Sequence, residues 1–185
     1  MNKHFNNKTL LLLIDLQNAI DHPSWGKRNN LEAEENITNL LTHWRDQQMP
    51  IVHIKHMSTD PNSHYRPNQP GNDFRTSTMP IASEEVIEKN SHSAFIGTTL
   101  EENCRSRNIN QIVAVGVITN NSIEATARMS GNLGFDTTVV SDACYTFDKR
   151  DYGGTWHSAQ TIHDIALANL ENEYAQIMST REILN

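Results

Sequence analysis

The sequence predicts an α/β fold, a mainly parallel sheet with helices packed on both faces. Short apolar runs alternate with longer stretches of helical periodicity, the rhythm of βαβ units. Turn and breaker residues punctuate each change of period. The first run, TLLLLI, is apolar at successive positions, as a strand covered on both faces must be.

The elements follow in order. Thr9–Ile14 reads as a fully buried strand. Over residues 31–48, Ile37, Leu40, Leu41 and Trp44 recur at helical spacing, and Met49-Pro50 ends the helix. Residues 51–54 form a second strand. Lys89 follows a short apolar alternation in EVIEKNSHSAF. Residues 111–115 (QIVAV) and 137–140 (TTVV) are further strands, separated by a helix over about 122–133 that Gly134 stops. A helix over 159–170 precedes a last short strand at 176–178. Residues 57–80 break the pattern with four prolines and no periodicity, and are expected to be a lid, an oligomer contact or a disordered loop.

Composition narrows the function. A chain of 185 residues suits one domain, taken here as 1–185. With 15 Lys+Arg against 22 Asp+Glu the net charge is −7, which disfavours a nucleic-acid partner and points to small molecules. Two cysteines without a C-x-x-C spacing indicate a reducing, cytoplasmic setting. The apolar run that stops at Asp15 is too short to span a membrane or serve as a signal segment.

Open parallel sheets bind ligands beyond the carboxyl ends of their strands. That rule selects Asp15, His53 to His56, Lys89 with Asn90, Thr119 to Ser122, and Asp142 to Tyr145. A carboxylate at a buried strand end, Asp15, needs a partner or a task, or else caps a turn. Lys89 stays charged beside any carboxylate, although a lone lysine is ordinarily a solvated one. Ser122 opens a helix whose free amides favour an anion, with Asn121 as N-cap and Glu124 completing a capping box. Serine is also simply common in a first helical turn.

Three segments carry more specific information: LLLIDLQNAI, KNSHSAFIGTTLEENCRSRNI, and VGVITNNSIEATARMSGNLGFDTTVVSDACYTFD. In order and spacing they resemble the isochorismatase-like (cysteine hydrolase) superfamily over nearly the whole chain. The resemblance implies a three-layer α/β/α, doubly wound, mainly parallel six-stranded sheet of Rossmann-like topology. It implies a hydrolase acting on an amide C–N bond or an ester or vinyl-ether C–O bond, with Asp15 as general base and Lys89 as its charged neighbour. The family's nucleophilic cysteine falls on Ser122. A non-proline cis peptide is implied at Val117–Ile118, with the amides of Ile118 and Ser122 as the oxyanion hole. Homo-oligomers, dimers or larger, are implied as well.

The serine is a consequential departure. A thiol near pKa 8.5 ionises readily beside a lysine and a helix N-terminus. A serine hydroxyl is far less acidic, and a carboxylate is poorly matched to it as a base. Three readings stay open: acyl transfer through Ser122, cleavage by water with Ser122 as a hydrogen-bonding group, or a silent member that binds a small acid or acts as a scaffold. Cys104 is read as packing within a helix. Cys144, near the pocket rim, is also read as a structural thiol.

No cofactor and no metal are expected. His53 and His56 stand three apart on one strand, so their side chains point to opposite faces. The Asp-x-His pair of metal-binding relatives is missing. Substrate contacts are assigned to Gln17, Asn18, Thr119 and Tyr145. Trp25, Phe95, Tyr145, Phe147 and Tyr152 are candidates for an apolar wall or for core. Arg128 either holds a substrate carboxylate or lies solvated on its helix.

Overall fold

The computed structural model describes residues 4–185; residues 1–3 of the expected domain lie outside. Six strands form the central sheet: β1 (Thr9–Ile14), β2 (Ile51–His56), β3 (Glu85–Lys89), β4 (Gln111–Val117), β5 (Asp136–Tyr145) and, after a two-strand hairpin β6 (Lys149–Arg150) and β7 (Trp156–His157), β8 (Gln176–Met178). Their order is β3-β2-β1-β4-β5-β8, and every pairing in the sheet is parallel. The chain first winds outward from β1 to β3, then returns to β4 and winds the other way. The reversal falls between β1 and β4, where a doubly wound sheet opens a crevice.

Alternation along β1 divides the core. Leu10, Leu12 and Ile14 pack with residues of α2 (Leu100–Ser106), α3 (Glu124–Asn132) and α4 (Ala159–Ala168). Leu11 and Leu13 face the other layer, where α1 (Ala33–Asp46) presents Ile37, Leu40, Leu41 and Trp44, and α5 (Thr180–Leu184) adds Ile183. The Trp44 indole also donates to the Thr9 carbonyl at 3.2 Å. Neighbouring β1 and β4 approach closely. Gly116 has φ +121°, and a Cβ there would lie 2.3 Å from the Ile14 carbonyl oxygen, so only glycine fits.

The structure revises several expectations. The segment 57–80 is neither structureless nor free. Gln17 donates to the carbonyls of His56 and Asn72, both at 3.0 Å, and accepts from the His56 amide at 2.7 Å. Asn72 donates to the carbonyls of His56 and Tyr65. Arg75 pairs with Asp21 and, at 2.7 Å, with Glu34. Buried polar side chains thus supply the order that apolar periodicity could not announce.

The helix expected from residue 122 begins instead at Glu124, after a π-helical turn over Thr119–Ile123. No side chain caps either segment, and Glu124 pairs with Arg128 at 2.8 Å, so the expected capping box is absent. The extended loop entry from Ile118 takes the place of a capped start. β5 runs to Tyr145, well beyond the TTVV core, because its later half pairs with Gly116 and Val117 across a register shift.

Candidate active site

Three side chains from distant parts of the chain meet at the carboxyl ends of the strands. Asp15 directly follows β1 with φ +56°, its amide donating to the Ile54 carbonyl and its carbonyl accepting from the Tyr65 hydroxyl at 3.2 Å. This local turn lifts the carboxylate off the sheet. Lys89 ends β3, in register with His56, and its long side chain crosses toward β1 and β4. Ser122 lies in the π-helical turn that follows β4. All three are buried: Asp15 is 5% exposed, Lys89 3% and Ser122 5%.

The Lys89 Nζ donates to Asp15 Oδ2 at 2.8 Å, to the Ser91 carbonyl at 3.1 Å and to Ser122 Oγ at 3.3 Å. Three acceptors match the three protons of an ammonium, so Lys89 is a donor here. The other carboxylate oxygen, Asp15 Oδ1, is buried and has no hydrogen-bond partner among the described residues. It is the carboxylate atom left to accept a hydrogen bond from a bound molecule.

The backbone beside Ser122 is held firmly. The Val117–Ile118 peptide is cis. The Ile118 carbonyl accepts from the amides of Asn121 (3.0 Å) and Ile123 (3.3 Å), which closes the turn. Thr119 Oγ1 bonds His163 Nδ1 at 2.9 Å, and Thr146 Oγ1 donates to Asn120 Oδ1 at 2.5 Å. Asn29 accepts from the Thr146 amide at 2.9 Å. Burial lowers the pKa of His163 and of His56 below the ordinary imidazole value, with Asp15 opposing this at His56.

A cleft of about 410 Å³ opens over this turn, lined by Ile118, Asn120 and Asn121 on one side and by Trp25 and Phe147 on the other. The two aromatic rings stack with centroids 5.5 Å apart. The cleft borders the Ser122 turn without being lined by Asp15, Lys89 or Ser122 themselves; two other clefts, of about 490 and 640 Å³, lie by Arg45 and Glu84 and by the C-terminal residues.

Several anticipated contacts lie elsewhere. Gln17 is fully buried with both amide hydrogens engaged by backbone, so it clamps the loop rather than facing a substrate. Asn18 donates to the Pro70 carbonyl at 3.3 Å and likewise fastens that loop. Thr119 is fully buried against His163. Tyr145 is fully buried, with the Arg28 guanidinium 4.0 Å above its ring, and burial raises its pKa. Phe95 stacks on Phe135 in the core, while Tyr152 is fully exposed. Arg128 lies on the helix surface over Tyr174. Cys104 and Cys144 are buried, their thiols pushed up to about 11 and about 12. Sequence reasoning missed His163, Asn29 and Thr146, because each acts across a long chain separation with no local motif.

His53 faces away from the site and bonds Glu84 at 2.8 Å. Among the described residues, no three His, Cys, Asp or Glu side chains converge to hold a metal ion. Nor is any helix among them long and apolar enough to cross a membrane.

Fold and site together define a doubly wound α/β protein with a buried Asp–Lys–Ser cluster at its strand ends. The chain belongs to the isochorismatase family, whose domain matches residues 9–182. It is 41% identical over 178 residues to the isochorismatase family protein YrdC of Bacillus subtilis, covering 96% of this chain and 95% of that one. A solved isochorismatase-family structure from Chromobacterium violaceum matches with a TM-score of 0.96 at 46% identity, covering 100% of this chain and 96% of the other. Nicotinamidase 3 of Arabidopsis thaliana is 26% identical, covering 91% of this chain and 83% of its own.

Proposed function

We propose that this protein hydrolyses a C–N or C–O bond of a small molecule at the Asp15–Lys89–Ser122 cluster. The observation that carries the reading is the Lys89 ammonium bound to Asp15 Oδ2 and Ser122 Oγ at once, with Asp15 Oδ1 left unpartnered. Because Ser122 Oγ accepts from Lys89, its own proton is available to Asp15. In the acyl-transfer form, Asp15 takes that proton as Oγ bonds to the carbonyl carbon. The C–N or C–O bond then breaks, and Asp15 returns the proton to the departing nitrogen or oxygen. Water releases the acyl group by the reverse sequence. The amides of Ile118 and Ser122 hold the developing oxyanion. In the water form, Asp15 activates water or delivers a proton, and Ser122 only binds the substrate. The same reading takes residues 1–185 as one domain, cytoplasmic and homo-oligomeric.

A second reading, a silent member that binds a small acid or serves as a scaffold, is favoured by the hydroxyl at Ser122 where the resemblance expects a thiol. One experiment separates them: wild type, Asp15→Ala and Ser122→Cys assayed on a panel of amides, esters and vinyl ethers. The hydrolase reading expects wild-type turnover that falls at least about 100-fold in Asp15→Ala. Equal turnover in that variant removes Asp15 as the base. Turnover present only in Ser122→Cys identifies a silent parent.

A further inference from the structure

Lys149 lines the cleft over the Thr119–Ile123 turn and is exposed, one of several cations of this chain, Lys55 and Arg150 among them, that make no ion pair among the described residues. Arg28, Arg45, Arg75, Arg105, Arg107 and Arg128 all pair with carboxylates. Lys149 has no ion-pair partner among the described residues. The nearby carboxylates form no ion pair with it, although Asp148 lines the same cleft. Asp148 Oδ1 accepts from the Ala159 amide at 2.7 Å, Asp151 bonds His157 at 2.8 Å, and Glu124 bonds Arg128. Pairing of β6 with β7, Lys149 opposite His157, sets where Lys149 stands.

The remaining walls have a consistent chemistry. Trp25 and Phe147 offer stacked ring surface, and the indole N–H is already given to the Ala19 carbonyl, so that wall is apolar. Ile118 extends it. Opposite, Asn120 has its oxygen occupied by Thr146, which leaves its N–H donors for the cleft it lines. His92 is exposed at the same cleft. An apolar slot with donors on one side and an unpaired ammonium at its rim suits a flat molecule that ends in an anion.

We propose that the substrate class of this site is a flat, apolar acyl compound with a carboxylate at the end remote from the cleaved bond, and that Lys149 selects that carboxylate. The proposal rests on the hydrolase reading for its chemistry and on the cleft alone for its binding. The pair at the rim is partly solvated, so its contribution is modest and sensitive to salt.

The test is calorimetric titration of wild type and Lys149→Glu with 4-carbamoylbenzoate and with benzamide at low ionic strength, alongside turnover of both. Wild type is expected to bind the carboxylated amide about two- to fivefold more tightly, a preference that shrinks with added salt. Lys149→Glu is expected to abolish or invert it, through KM rather than kcat. Equal affinity in wild type, no binding of either amide, or a preference that survives Lys149→Glu overturns the proposal. A Lys149-dependent binding preference without turnover of either amide leaves this inference standing and counts against the hydrolase reading instead.

Discussion

Lys89 and Asp15, separated by 74 positions, form an ion pair of 2.8 Å in which the lysine side chain is fully buried. Taking one partner away leaves a charge without water or counterion, whereas replacing both leaves a neutral, packed site. Lys89→Met is therefore expected to destabilise the fold by about 3–5 kcal/mol, and Lys89→Met with Asp15→Asn to recover much of that loss. Urea denaturation of the two variants checks it. A double variant as weak as the single one would show that packing, not charge, dominates at this position.

The ammonium beside Ser122 favours an anion at that position. Ser122→Cys is expected to react with iodoacetamide within minutes at pH 7.5. Native wild type should resist, because both of its thiols are buried and pushed up to about 11 and about 12. Intact-mass spectrometry counts the adducts. Slow labelling of the Ser122→Cys variant would mean that Lys89 does not activate this position.

Glu84 makes an acid-labile contact on the opposite side of β2. Its carboxyl is held down to about 2 from an ordinary 4.5: burial pushes it up, and hydrogen bonds from Arg45, the Ile81 amide and His53 outweigh that. With the folded pKa depressed, this stabilisation is complete above about pH 4.5 and is lost as pH falls toward 2. His53, lowered chiefly by burial, begins to withdraw stability below its ordinary 6.5, in the same direction. Glu84→Gln should flatten the decline in urea midpoint between pH 4.5 and 2.5. The Glu84 contribution is about 2–3 kcal/mol at most. An unchanged slope refutes the assignment.

At Gly116, an alanine would meet the Ile14 carbonyl at 2.3 Å in a backbone conformation that L residues rarely adopt. Gly116→Ala is expected to lower stability by more than about 3 kcal/mol, since β1 and β4 must separate and Asp15 moves with β1. Thermal melting reads this directly. A loss below about 1 kcal/mol would mean that the two strands shift easily.

Arg75 fastens the loop over residues 57–80 to Asp21 and Glu34. Arg75→Ala is expected to reduce stability by about 1–2 kcal/mol and to open new protease cleavage within 57–80 while the rest of the chain stays resistant. Mass spectrometry of limited digests locates the cuts. Cleavage elsewhere first would show that the loop is held by Gln17 and Asn72 alone.

Much of the architecture was legible in short stretches of chain. The unbroken apolar character of TLLLLI placed β1 in the interior, and helical spacing of Ile37, Leu40, Leu41 and Trp44 set the buried face of α1. The ends of β1 and β3 and the turn after β4 were marked as well, and Asp15, Lys89 and Ser122 stand there together. What the sequence did not show was which partners the nearby polar residues take. Gln17, Thr119 and Tyr145 occupy the right ends of the right strands, yet their side chains meet Asn72, His163 and Arg28.

Sequence alone thus determined which segments become buried strands and helices, because periodicity and breakers act over a few neighbouring residues. Only the tertiary structure decided that Gln17 and Asn72 brace a loop and that His163 holds Thr119. It also decided that Trp25, Phe147 and Lys149 share one cleft. Hydrogen-bond partners are chosen by distance and angle in space, and residues far apart along the chain carry no local trace of who their partner will be.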